Sequence, residues 1–259
     1  MCNSACIRFA ENRLTESEIK GNRVLEVGAM DVNGSVRNMA VQHKPVAYVG
    51  VDIAPGPGVD EVCDVQNILR QYGHAAFDVV ICTEVLEHVR EWRTAISKLK
   101  HVLKPSGVLL LTTRSKGFPY HGYPHDFWRF ECHDLEAIFS DLEIEALESD
   151  PLSPGAFMKA RIPVDFVEKD FRSFELYSMI KEKRSRDIRT VDIVCFRVIW
   201  SIRRGFSSIL SDPVKDGIRK CLQRTGRMRQ RAPIRVRNAG CRNPHAQVKK
   251  TPAGNRPDS

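Results

Sequence analysis

The sequence predicts an open, doubly wound α/β sheet, mostly parallel with an antiparallel last strand, followed by a helical C-terminal extension. Two observations carry this. Short runs rich in Val, Leu and Ile alternate with longer helical patterns, and the runs are apolar almost throughout, as in strands covered by helices on both faces. The strand candidates are RVLEVG (23–28), VAYVGVD (46–52), FDVVICTE (77–84) and GVLLLTT (107–113). Between them lie SVRNMAVQ, VQNILRQYG and EHVREWRTAISKLKHVL. The last puts Val89, Trp92, Ile96, Leu99 and Leu103 on one face at helical spacing, and LKPSG ends it. Strand and helix repeated in this order argue for a doubly wound sheet. After residue 131, HDLEAIFSDLEIEALESD reads as a helix then a strand, and GAFMKARIPV as an antiparallel return. Residues 164–200 read as helical. The expected organisation is a ligand-binding domain over 1–163, a helical extension over 164–224, and a disordered tail over 225–259, where the chain is basic, polar and broken by Pro and Gly.

With 259 residues, 42% of them hydrophobic, the chain is long enough for one sizeable domain with extensions. No run approaches the ~18–20 apolar residues of a membrane span. The opening MCNSACIRFAENRL lacks the basic-then-apolar order of a signal peptide, so a soluble, cytoplasmic protein is expected. VDIVCFRVIW (191–200) is interrupted by Asp192 and Arg197 and reads as a buried helix or strand, with membrane-surface contact as the alternative. The eight cysteines form no CxxC pair, so neither a zinc ribbon nor a disulfide scaffold is suggested. The net charge of +8 is unevenly placed. Residues 201–259 hold 15 Lys+Arg against 3 Asp+Glu, whereas residues 1–200 hold 25 against 29. The basic character belongs to the tail.

In an open α/β sheet the ligand lies beyond the carboxyl ends of the strands. The first such end, VLEVGAMDVNGSV (24–36), has only Gly28 and Gly34, and it carries Glu26 and Asp31. A dinucleotide loop needs G-x-G-x-x-G so that backbone N–H groups face a pyrophosphate, and poorly solvated acids would repel that group by several kcal/mol. Asp52 ends the second strand, where a carboxylate suits two ribose hydroxyls. Asp64 follows EVC at the expected end of the third, within reach of an adenine amino group. Each acid alone reads as a loop acid or helix cap. In series they select an adenosyl ligand with positive charge and no phosphate, as in S-adenosylmethionine (SAM).

Taken together, LEVGAMDVNGS, YVGVDIAPGPGVD, FDVVICTEVLEHV and LKPSGVLLLTT resemble the successive motifs of class I SAM-dependent methyltransferases of the methyltransferase-11-like type, over residues 20–150. The resemblance implies a Rossmann-like fold, methyl transfer, Glu26 and Gly28 near the amino-acid portion of SAM, Asp52 on the ribose and Asp64 by the adenine. It also implies Thr83 and Glu84 beside the sulfonium. The family's glycine-rich first motif becomes EVGAMDVNG here, with Ala29 near the second glycine position. This brings Asp31, Asn33 and Gly34 forward as further contacts.

Methyl transfer is an in-line displacement, and a hydroxyl acceptor benefits from a base. CTEVLEHV supplies Glu84, Glu87 and His88; on a helix, Glu84 and His88 would share a face. HGYPHDFWRF adds His121, Tyr123, His125, Asp126, Trp128 and Arg129, in a loop expected to fold over the same edge. Three readings stand: His88, His121 or His125 acts as general base; Glu84, Glu87, His88 and a loop histidine such as His121 hold a divalent metal; or these residues only line the site. E-x-x-E-H is similar to the metal motif of small-RNA 2′-O-methyltransferases and some ubiquinone-pathway O-methyltransferases. A metal-free site is the preferred reading, and Phe127, Trp128 and Phe130 are read as packing. The expected function is SAM-dependent methylation of an oxygen on a small molecule or glycan. The alternatives are RNA methylation assisted by the basic tail and a non-catalytic SAM-binding protein.

Overall fold

The computed structural model describes residues 3–122 and 125–209. The chain begins with two helices, α1 (Ser4–Arg13) and α2 (Glu16–Ile19), which the sequence reading left unassigned. There follow β1 (Arg23–Val27), α3 (Arg37–Gln42), β2 (Ala47–Asp52), β3 (Glu61–Val62), α4 (Ile68–Tyr72), β4 (Phe77–Thr83), α5 (Trp92–Val102) and β5 (Leu103–Arg114). The chain continues through β6 (Trp128–Arg129), α6 (Cys132–Ile138), β7 (Glu143–Ser149), β8 (Gly155–Arg161), β9 (Leu176–Ser178), β10 (Lys183–Ser185) and α7 (Thr190–Ile209).

The main sheet has the order β3-β2-β1-β4-β5-β8-β7. Strands β3 to β5 are parallel, and β8 is antiparallel to both β5 and β7. The strand order reverses between β1 and β4, which puts the ligand crevice there. Side-chain alternation divides the core. On one face Leu25, Val80, Leu109 and Leu111 meet α5 through Trp92, Ile96 and Leu99. On the other, Val24, Val79, Ile81 and Leu110 meet α1 and α2 through Cys6, Phe9, Ala10 and Ile19. The apolar stripe expected on the long helix is only partly helical. Val89 follows a short 3-10 turn, and Leu103 already pairs with Phe77 as the first residue of β5.

The expected helical extension is corrected over residues 164–189. This segment is irregular and carries β9 and β10, which join β6 in a small sheet of order β10-β9-β6. Its aromatics dock singly where a helical stripe would have run: Phe171 stacks on Trp92 at 6.0 Å, and Phe174 meets the same ring edge-on at 6.4 Å. Arg93 ties it down by donating to the carbonyl oxygens of Phe171 and Phe174 and, at 2.8 Å, of Arg186. Tertiary anchoring therefore overrides local propensity. The tail over 225–259, the stretch 210–224 and Tyr123 lie outside the described residues.

Lys100 is a second anchor. Its buried ammonium donates to both Asp141 carboxylate oxygens at 2.8 Å and to the Ile138 carbonyl at 3.1 Å. Asp141 Oδ2 also accepts the Lys169 N–H at 2.9 Å, so one buried pair joins α5, the end of α6 and the extension. Asp141→Ala leaves the ammonium buried and unpaired. It is expected to cost about 3–5 kcal/mol in urea unfolding at neutral pH.

Candidate active site

The loop after β1 is held by backbone geometry. Gly28 has φ +79°, and a Cβ there would overlap the Val85 side chain, so only glycine allows the β1 and β4 loops to approach this closely. Its N–H and that of Ala29 both donate to the Val51 carbonyl, at 2.9 and 3.0 Å. Asp31 closes the loop on itself, accepting the Gly34 N–H at 2.9 Å and donating its own N–H to Pro57 at 2.8 Å. Beside this loop a cavity of about 240 Å³ opens over the carboxyl ends of β1, β2 and β4.

Of the expected ligand-contacting residues, Gly28, Asp52, Asp64, Glu84 and His88 line this cavity. Asp52 Oδ2 accepts the Met30 N–H at 3.2 Å. Asp64 caps the following 3-10 turn, accepting from Gln66 N at 2.8 Å, and faces the cavity as well. Asp31, Gly34 and Thr83 do not line it; the first two brace the loop, and Thr83 is a buried strand residue paired with Thr112. Glu26 is the larger departure. Alternation along β1 turns it to the face opposite Leu25 and Val27, where it accepts the Tyr48 hydroxyl at 2.7 Å. Burial pushes its carboxyl up to about 7, against the lowering effect of Tyr48 and the nearby Arg37.

The end of β4 departs from the helical expectation. Glu84 has φ +58°, and the 3-10 turn begins only at Leu86, so Glu84 and His88 share no helix face. Glu84 instead pairs with Arg114 and accepts from Thr112 Oγ1 at 3.0 Å. Burial and the neighbouring Glu87 push its carboxyl above the ordinary value, and Arg114 opposes them. Glu87 is fully buried on the other side. Its Oε2 accepts from Thr113 Oγ1 at 3.0 Å, while Oε1 has no hydrogen-bond partner among the described residues.

The loop between β5 and β6 folds back over Glu87, whose carbonyl accepts the Phe127 N–H at 2.8 Å. His121 Nδ1 sits 3.0 Å from Asp126 Oδ2, and its Nε2 faces Glu87 Oε1 at 4.0 Å. Arg129 grips both Asp126 oxygens, at 2.5 and 2.7 Å. Burial would raise the Asp126 carboxyl, but bonds from Arg129 and His121 outweigh it and hold this group well below the usual carboxylate range. His88 Nδ1 lies 2.5 Å from the His125 carbonyl, and its ring meets His121 edge-on at 4.8 Å. The His125 ring itself turns away, to Arg197 at 3.3 Å, so of the three histidines only His88 and His121 converge. Glu87, His88 and His121 bring ligand-type atoms within 4.8 Å of one another; Glu84 is not part of this cluster. Phe127, Trp128 and Phe130 are buried packing.

A family model described as a methyltransferase domain matches residues 4–147, more than half of the chain. The chain belongs to the class I SAM-dependent methyltransferases. A ubiquinone biosynthesis O-methyltransferase of Idiomarina loihiensis is 28% identical over 127 residues, covering 44% of this methyltransferase and 50% of that protein. Another so named, from Haemophilus ducreyi, is 29% identical over 124 residues, covering 41% and 51%. The chain spans about half the length of the curated relatives it matches. The solved 1,6-didemethyltoxoflavin-N1-methyltransferase of Burkholderia thailandensis, with bound 1,6-didemethyltoxoflavin and S-adenosylhomocysteine, covers 61% of this chain and 79% of its own. Its TM-score is 0.50 at 17% identity, a likeness of fold.

SAM fits the cavity of this methyltransferase. Gly28 leaves room where any side chain would intrude, Asp52 and Asp64 stand at two strand ends, and Met30, Ile53, Val65 and Val85 supply apolar wall. Sequence reasoning missed Val85, whose side chain sets the demand for glycine, and the partners Thr112, Thr113 and Arg114. Their one signal in the sequence is that the apolar fifth strand ends in Thr112, Thr113 and Arg114, whose burial only the structure shows.

Two measurements check these placements. Asp52→Ala is expected to weaken SAM binding roughly 10–100-fold by calorimetry, the worth of charge-assisted hydrogen bonds, whereas Glu26→Gln changes it by no more than a few-fold. Glu26 also sets a pH dependence. Its folded pKa lies above the ordinary 4.5, so its stabilising contribution is complete below that value and is lost as pH rises through about 7. Glu26→Gln is expected to flatten that fall by about 1–3 kcal/mol between acid and mildly alkaline conditions in denaturant unfolding.

Proposed function

We propose that the chain methylates an oxygen of a small molecule, with His121 as general base. The observation that carries this is the buried Arg129–Asp126–His121 relay, with Asp126 Oδ2 3.0 Å from His121 Nδ1. Asp126 stays ionised, keeps the proton on Nδ1 and leaves the Nε2 lone pair to accept a proton from an acceptor hydroxyl. His88, held by the His125 carbonyl, lines the cavity and joins it to the His121 loop. Gly28, Asp52 and Asp64 would hold SAM, with Glu84 and Val85 at the wall nearest the His88 turn. When bound, SAM supplies an electrophilic methyl carbon on a sulfonium that leaves as a neutral thioether. The buried aromatics Phe127, Trp128 and Phe130 under the loop exclude water from its inner side. Both curated relatives are named O-methyltransferases, which supports oxygen as the acceptor atom. The RNA alternative rested on a tail outside the described residues, and residues 1–200 are net acidic.

A second reading is favoured by one observation, the buried Glu87 oxygen that accepts no hydrogen bond among the described residues. With both Nδ1 atoms engaged, the Nε2 atoms of His88 and His121 make no hydrogen bond among the described residues, and together with Glu87 Oε1 they offer an N₂O set suited to Zn²⁺ or Mn²⁺.

His121→Ala is expected to lower kcat about 10²–10⁴-fold with SAM affinity kept within a few-fold, and Asp126→Asn to do the same to a lesser degree. An unchanged kcat for His121→Ala in a screen using methyl-labelled SAM rejects the base assignment. Loss of activity on EDTA treatment, restored by Mn²⁺ or Zn²⁺, would move His121 from base to ligand.

A further inference from the structure

Helix α7 is apolar on two opposite faces. Its inner face is anchored: Ile193 and Phe196 pack on the core, and the Phe196 and Trp200 rings lie 5.3 and 5.5 Å from Tyr120. Its outer face carries Val191, Val194, Val198 and Ile202, each 54% exposed, at spacings of three and four that align them in one stripe. Ile199 widens the stripe at 49% exposed. A surface helix ordinarily puts charged residues there. The same chain segment leads directly into residues 201–259, with 15 Lys+Arg against 3 Asp+Glu.

We propose that the outer face of α7 docks on an anionic membrane surface. Each half of the feature has other partners, but this one meets both. A nucleic acid would answer the positive charge and leave the valine stripe in water. A second copy would cover the stripe and add another excess of 12 positive charges. Anionic lipid buries the stripe at the level of the headgroups and neutralises the basic residues that follow it in the sequence. The helix lies along the interface, since no helix among the described residues is long and apolar enough to cross a membrane. The inner face of α7 stays on the His121 loop, where Phe196 and Trp200 meet Tyr120 and Arg197 touches His125, so docking through the outer face leaves those contacts in place.

The test uses the full chain and phosphatidylcholine vesicles with or without phosphatidylglycerol. Flotation with the anionic vesicles is expected, and none with phosphatidylcholine alone. The triple variant Val194→Ser, Val198→Ser, Ile202→Ser is expected to keep its thermal midpoint and lose roughly tenfold or more in vesicle partitioning. Absence of flotation with anionic vesicles overturns the proposal. So does equal partitioning of the triple variant, which would leave charge alone as the cause. A dimer in sedimentation that the triple variant dissociates also overturns it, as the stripe would then face a second copy. Rejection by these routes leaves the SAM-binding and base assignments untouched, since none of the substituted residues lines that site.

Discussion

Two buried carboxylates follow β4, and the surrounding structure is arranged to satisfy them. Glu84 and Glu87 are 3% and 0% exposed, in a place where an unpaired charge would cost several kcal/mol. Strand β5 answers both through alternation: Thr112 points to the face of Glu84 and Thr113 to that of Glu87. Arg114 then bridges Glu84 to Asp150, which in turn accepts from Asn3 at the start of α1. The left-handed backbone at Glu84 sends the two acids to opposite faces. A strained conformation of this kind persists only where its surroundings over-determine it.

The satisfaction is unequal. Glu84 has a guanidinium, a hydroxyl and the Cys6 thiol around it, so it acts as wall and support. Glu87 has one oxygen satisfied and the other turned toward two histidines. Each histidine has its Nδ1 committed, one to a carbonyl and one to a carboxylate. Their remaining nitrogens therefore face the same small volume next to the cofactor cavity. The proposed proton transfer and the alternative cation site both draw on that arrangement.

The sheet was legible because burial on both faces demands continuous apolar runs, and such runs survive in one dimension. Gly28, Asp52, Asp64 and His88 were legible for a related reason: each lies at or just past a strand end, where the fold class itself puts ligands. Glu26 was misplaced because a motif position was taken as a contact, whereas the pleat turns that residue to Tyr48. The hairpin within 164–189 was illegible since its stability comes from Trp92, Arg93 and β6, residues far away in the chain.

The sequence by itself determined the alternation of strands and helices in the main sheet, the acidic strand ends that suit an adenosyl cation, and the separation of basic tail from acidic domain. These follow from periodicity, composition and charge, which are local properties. Only the tertiary structure decided which face each acid takes, that the His121 ring and not the His125 ring meets that of His88, and that α7 keeps a valine stripe in solvent. Those outcomes depend on register, on one left-handed residue and on long-range packing, because a side chain's surroundings are set by neighbours distant in sequence.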